Sequence, residues 1–120
     1  MNRRQLLILD DDKIQHLFLQ KRLSIIDPYS DLHCFDSPLL AIDFLKKNPI
    51  DVIFLDLHLP EMDGWQIIGE LKKIGTKGRV FVLSGSVDPN DKNRIAHDPF
   101  IHGHFEKPLS QHDLESMLAQ

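Results

Sequence analysis

Three runs of this chain, Leu6-Leu7-Ile8-Leu9, Val52-Ile53-Phe54-Leu55 and Val80-Phe81-Val82-Leu83, are apolar at every position. A strand with one wet face alternates apolar and polar side chains, so a strand without alternation must be covered on both faces. Between the runs lie segments of helical spacing, and the chain reads as successive βαβ units around a parallel sheet. The strands expected are 6–10, 32–35, 51–55, 79–83 and a brief 103–106. The second alternates more than the others and belongs at an edge.

Helix signals fill the gaps. Ile14, Leu17, Phe18, Leu23 and Ile26 recur at roughly helical spacing after the first strand. Asp36-Ser37-Pro38 supplies a cap followed by proline at the first helical position, opening a helix through Leu40, Ile42, Phe44 and Leu45. Asp88-Pro89 repeats that signal, and Ser110 with Asp113 resembles a capping box before the last helix. A third helix, 65–73, closes near Gly75 and Gly78. A sheet this small needs helices on both faces and right-handed crossovers. The expected fold is therefore α/β, a flavodoxin-like (βα)5 doubly wound parallel sheet of strand order 2-1-3-4-5. Ligands of such sheets sit at the switch point between strands one and three.

Composition narrows the function. One domain of 120 residues is expected, and a net charge of -4 with no Lys/Arg block longer than a pair argues against nucleic acid or anionic membrane as partners. Cys34 has no internal partner, which fits a reducing, cytoplasmic setting, and it reads as a small apolar residue on a half-buried strand. The segment 1–9 is not a signal peptide, because its apolar stretch is short and ends in three aspartates.

The chemistry gathers where the strands end. The first apolar run leads into Asp10-Asp11-Asp12, and the second leads into Asp56. Neighbouring strands lie about 4.8 Å apart, so Asp10, Asp11 and Asp56 can converge on one ion. Clustered carboxylates repel unless a cation compensates, and an open all-oxygen site favours Mg²⁺, with Mn²⁺ as the alternative. Asp12 reads instead as the cap of the following helix. Strand four ends in Leu83-Ser84-Gly85-Ser86 and strand five in Phe105-Glu106-Lys107-Pro108, bringing a hydroxyl and an ammonium to the same rim. Metal, ammonium and hydroxyl together stabilise a transferring phosphoryl group, and an aspartate can accept it as an acyl phosphate.

Asp10-Asp11, Asp56 with Leu59-Pro60 and Asp63-Gly64, Ser84-Gly85 and Lys107-Pro108 resemble, in order and over the whole chain, the receiver domain of two-component response regulators, of the chemotaxis-regulator type. The resemblance implies a receiver over 1–120 with no output domain in this chain. Asp56 would take a phosphoryl group from a histidine kinase or a histidine phosphotransfer protein. Asp11 would ligate Mg²⁺ directly, Asp10 mainly through water, and the His58 backbone carbonyl would add a ligand. Lys107 would pair with phosphoryl oxygens, and its bond to Pro108 would be cis. Ser84 would swing toward the phosphoryl group and shift a face made of the fourth helix, fifth strand and fifth helix, for a protein target or a homodimer. Such a domain assists its own phosphorylation and dephosphorylation but turns over no external metabolite.

The chain departs from the family at one switch position. His104 stands where a Tyr or Phe is usual, three residues before Lys107, and reads as a half-exposed ring filling the aromatic slot. A protonation-sensitive switch is the alternative. His58 and Ser86 occupy positions that tune hydrolysis in the family. Two rival readings stand beside this one. A haloacid-dehalogenase-type phosphatase would use the Asp10-Asp11-Asp12 run, but Lys13-Ile14 replace the usual Gly-Thr and Asp56 is left without a role. A phosphorylation-independent docking module would leave the acid cluster idle. Seven histidines raise a zinc reading at His97, His102 and His104, with the last two on one strand face, but a third well-placed ligand is missing.

Overall fold

A computed structural model describes residues 3–85 and 88–119. Strands and helices alternate throughout: β1 (Gln5–Leu9), α1 (Lys13–Ile26), β2 (Asp31–Phe35), α2 (Pro38–Lys47), β3 (Val52–Asp56), α3 (Gly64–Ile74), β4 (Arg79–Ser84), α4 (Pro89–Ala96), β5 (Ile101–Glu106) and α5 (Gln111–Leu118). The five strands are parallel and ordered β2-β1-β3-β4-β5, the flavodoxin-like order expected from the apolar runs. Asp51 falls outside β3 and Asp56 is its last residue, so the site carboxylate is held by sheet pairing rather than by a loop.

The all-apolar runs are covered on both sides. Successive side chains of a strand point to opposite faces, so each run feeds two cores. Leu7, Ile53, Val80 and Val82 pack with Ile42 of α2, Ile68 and Leu71 of α3 and Ile95 of α4. Leu6, Ile8, Phe54, Phe81 and Leu83 pack with Leu19 and Leu23 of α1 and Leu114 and Met117 of α5. Every residue of β3 is buried, whereas all of β2 is half-buried, as an edge strand should be.

Three local expectations change. The buried stripe of α1 is His16, Leu19 and Leu23, while Ile14, Leu17 and Phe18 face outward. The helix carries two apolar stripes, and the docking angle against the sheet chooses only one. On α2, Leu39 and Leu40 are likewise exposed and Ala41 and Ile42 are buried. On β5, a register shift opposite Val80 and Phe81 inserts an extra residue. That irregularity sends His102 toward the Phe81 ring, 6.2 Å away, while His104 reaches Ser84, so the two histidines do not share a partner.

Candidate functional site

Helix α1 starts where β1 ends, and its N-cap is Asp12, whose side chain accepts from the Ile14 N–H. With Asp12 occupied as a cap, Asp10 and Asp11 are the acids of that turn left for chemistry. Asp10 is fully buried, its Oδ1 accepting from the Asp12 N–H at 2.9 Å, and Asp11 is exposed. Two strands in register bring β3 alongside β1, pairing Leu9 with Leu55 and placing Asp56 one residue further on. Asp56 is 3% exposed, and its Oδ1 accepts from the His58 N–H at 3.0 Å. Asp10, Asp11 and Asp56 each offer an oxygen within 4.8 Å of the others, the one such grouping of three potential ligands among the described residues.

Lys107 closes the cluster. Its Nζ donates to Asp10 Oδ2 at 2.9 Å and to Asp56 Oδ2 at 3.1 Å, and its own N–H donates to the Ser84 carbonyl. The Lys107–Pro108 peptide bond is cis. One ammonium thus faces two buried carboxylates with a third carboxylate at the mouth, and the site carries excess negative charge. Burial pushes the Asp10 carboxyl above its ordinary 3.8; the Asp12 N–H and Lys107 pull it back only in part, and the charge of Asp56 adds to the rise. Burial alone would lower Lys107, yet the Asp10 bond and the Asp56 charge outweigh it and hold the ammonium above its ordinary value. A hard divalent cation fits this donor set, since all three ligand groups are carboxylates and the charge deficit is already present.

The walls of the site come from the neighbouring turns. After Asp56, the Gly64 N–H donates to the Leu57 carbonyl at 3.1 Å, and His58 bridges to Asp63, folding the β3–α3 loop back on itself. Asp63 then caps α3 in a capping box with Gln66. A Cβ on Gly64 would sit 2.7 Å from the Leu57 backbone, so only glycine allows this return. Ser84 ends β4 beside Asp56, is fully buried, and pairs its Oγ with His104 Nε2 at 3.2 Å. The His58 side chain is exposed, and Ser86 lies outside the described residues.

Sequence reasoning missed His16. Its Nε2 is 2.8 Å from the Asp10 carbonyl, which can only accept, so the ring donates and pins the β1–α1 turn behind the acid pair. The signal was present in the spacing His16, Leu19, Leu23, a buried stripe with one polar member. Trp65 is a second residue that the sequence pattern does not single out. Its Nε1 donates to Asp91 of α4 at 3.0 Å and the Arg94 guanidinium lies over its ring, so it links α3 to α4 beside the site. His97 bonds its own helix through the Asn93 carbonyl and joins no ligand cluster among the described residues.

The fold and the site together define a small α/β domain that presents a carboxylate pocket, one ammonium and one hydroxyl at its topological switch point. Residues 6–119 match the response regulator receiver domain family, and the chain belongs to it. It is 26% identical over 113 residues to the autoinducer 1 sensor kinase/phosphatase LuxN of Vibrio campbellii, covering 94% of this chain and 13% of that protein. It is 34% identical over 92 residues to the cell cycle response regulator CtrA of Brucella ovis, covering 76% of this chain and 38% of that one. The chain therefore spans well under half of these relatives. Among solved structures it superimposes on a two-component response regulator of Cytophaga hutchinsonii with a TM-score of 0.88 at 22% identity, covering 99% of this chain and 96% of the other. No helix among the described residues is long and apolar enough to cross a membrane.

Proposed function

We propose that this receiver accepts a phosphoryl group on Asp56 from a phosphohistidine of a kinase or phosphotransfer protein, and passes the signal on by rearranging its α4–β5–α5 face. The observation that carries this reading is Lys107 Nζ held between Asp10 and Asp56 in a three-carboxylate cluster. A nucleophile must be ionised and reachable. Burial pushes the Asp10 carboxyl up, toward its neutral form, which makes it a poor attacker. Asp56 ends the central strand, with one oxygen fixed by the His58 N–H and the other turned to Lys107.

The Asp56 oxygen attacks phosphorus, the bond from phosphorus to the donor's imidazole nitrogen breaks, and the electron pair stays on that nitrogen. Lys107 exchanges carboxylate partners for phosphoryl oxygens, supplying positive charge already in place. Asp10, Asp11, Asp56 and the His58 carbonyl would hold a Mg²⁺ ion, which supplies further charge neutralisation when bound. Water attack on the acyl phosphate returns the free carboxylate, so the chain completes its own cycle without turning over a metabolite. Ile14, 59% exposed, and Leu17, 50% exposed, open α1 next to Asp11 and give the donor protein apolar surface beside the nucleophile. The single reduced Cys34 fits a cytoplasmic setting for this exchange.

Incubation with Mg²⁺ and acetyl phosphate, followed by mass spectrometry of the trapped adduct, tests the assignment. We expect modification of Asp56 and its loss in Asp56→Asn. Modification of Asp10 or Asp12 would point to phosphatase-type chemistry instead.

A further inference from the structure

The hydroxyl of Ser84 is fully buried, and its one side-chain partner among the described residues is His104 Nε2 at 3.2 Å. A buried hydroxyl proton without an acceptor is costly, so Ser84 donates and Nε2 accepts, which places the ring proton on Nδ1. His104 lies on β5 opposite Val82, half-buried, with α4 packed against its strand. The charged groups facing it are Glu106 from its own strand and Lys92 from α4; β4 offers it only the Ser84 hydroxyl. Burial, with Lys92 assisting and Glu106 opposing, holds the imidazole below its ordinary value, so the resting ring is neutral at pH 7.

We propose that His104 is a positioning residue for the Ser84 hydroxyl whose Nε2 turns from acceptor to donor when Asp56 is phosphorylated, so that phosphorylation and proton uptake at His104 favour one another. This rests on the phosphoacceptor reading of Asp56. Ser84 has one proton and two claimants. In the resting state Nε2 holds it. A phosphoryl group on Asp56, at the end of the adjacent strand, offers a stronger anionic acceptor. Once Ser84 turns its proton to that group, Nε2 meets an oxygen lone pair and an added negative charge, and both favour a proton on Nε2. That proton comes from solvent through the half-exposed side of the ring. By reciprocity, acidification that protonates His104 must favour the phosphorylated form. The ring then does more than fill an aromatic slot: it carries the state of Asp56 to the α4–β5 surface as charge.

The test is NMR titration of the His104 ring in the full chain, with and without Mg²⁺ and beryllofluoride. We expect the adduct to move the ring pKa upward and to place a proton on Nε2, read from its nitrogen shift. Adduct affinity should tighten as pH falls from 7.5 to 6, by up to about tenfold per unit of upward movement. His104→Gln keeps a neutral hydrogen-bonding group, so it should form the adduct with that proton-linked tightening removed. In Ser84→Ala the ring should no longer respond to the adduct; a response of undiminished size would show a through-space field and overturn the relay. An adduct at Asp56 with an unmoved His104 sinks this inference alone. Failure of any adduct to form sinks the phosphoacceptor reading and the relay with it.

Discussion

The two ends of one sheet handle charge in opposite ways. At the C-terminal edge, Asp10, Asp11 and Asp56 crowd together, and Lys107 pairs with the two that are buried. At the N-terminal edge, three cations meet three acids in separate, partly exposed pairs: Arg4 with Asp27 at 3.3 Å, Arg3 with Asp31 at 3.3 Å, and Lys72 with Asp98 at 2.9 Å. The larger concavity, about 820 Å³, lies at that end, among Arg3, Arg4, Asp51, Lys77 and Arg79. The one beside Asp11 and His58 is about 570 Å³. Size therefore does not mark the chemistry here. Unbalanced buried charge does, because a fold keeps such a cost only where a ligand or a reaction relieves it.

The largest effect should come from removing the one ammonium of the acidic end. Lys107→Met leaves two buried carboxylates facing each other, and we expect a loss on the order of 3 kcal/mol at pH 7, the usual cost of stranding a buried charge. Denaturant unfolding without divalent ions measures it. Saturating Mg²⁺ should recover most of the loss, because the cation replaces the missing charge; no recovery would break the link between the cluster and a metal.

Next come two glycines that each let backbone approach backbone, one at either end. A Cβ on Gly64 would lie 2.6 Å from a Leu57 side-chain carbon and 2.7 Å from its backbone, and a Cβ on Gly78 would collide with the Ile50 carbonyl oxygen. Both Gly64→Ala and Gly78→Ala should destabilise by about 1–3 kcal/mol, the range for overpacking. Only the first should also slow modification of Asp56, since the Leu57 turn it displaces follows that residue directly. Equal slowing in both would mean that the ends are mechanically coupled.

A smaller effect separates function from stability within the acidic end itself. Folding raises the Asp10 carboxyl above 3.8, so between that value and its folded value the native state binds more protons than the unfolded chain. The Asp10 contribution is therefore most favourable at low pH and is lost as pH rises through the folded value. Asp10→Asn should flatten that decline and raise the melting temperature at pH 7 in metal-free buffer, while weakening Mg²⁺ binding. A lower melting temperature would contradict the excess of negative charge.

Much of this contrast was legible in the residues. All-apolar runs require cover on both faces, which forces the parallel sheet, and the residues that follow the runs of β1 and β3 then fall at the switch point. Capping residues mark where helices begin, and Asp12, Ser37, Asp88 and Ser110 all serve as N-caps. Harder to read was whatever depends on docking. Ile14, Leu17 and Phe18 have the spacing of a buried stripe, but Leu19 and Leu23 occupy the side that meets the sheet. The bulge that separates His102 from His104 depends on β4–β5 register, and the Ser84–His104 bond follows from that register. The role of His16 was hidden because its partner, the Asp10 carbonyl, is backbone and is not marked by any residue type.

The smallest expected effect lies at the N-terminal edge, and it is the control on the whole contrast. Arg4 and Asp27 approach within 3.3 Å, with side chains 36% and 25% exposed. Solvent screens such a pair and ordering two side chains costs entropy, so a double-mutant cycle through Arg4→Ala and Asp27→Ala should give a coupling below about 1 kcal/mol. It should also weaken with added salt and be indifferent to Mg²⁺. Each single variant also removes its side chain's other contacts, such as the Asp27 carboxylate's place beside the end of α1, so only the cycle isolates the pair. A coupling as large as the Lys107 effect would mean that pairing one to one does not make charge cheap in this fold, and the acidic end would lose its distinction.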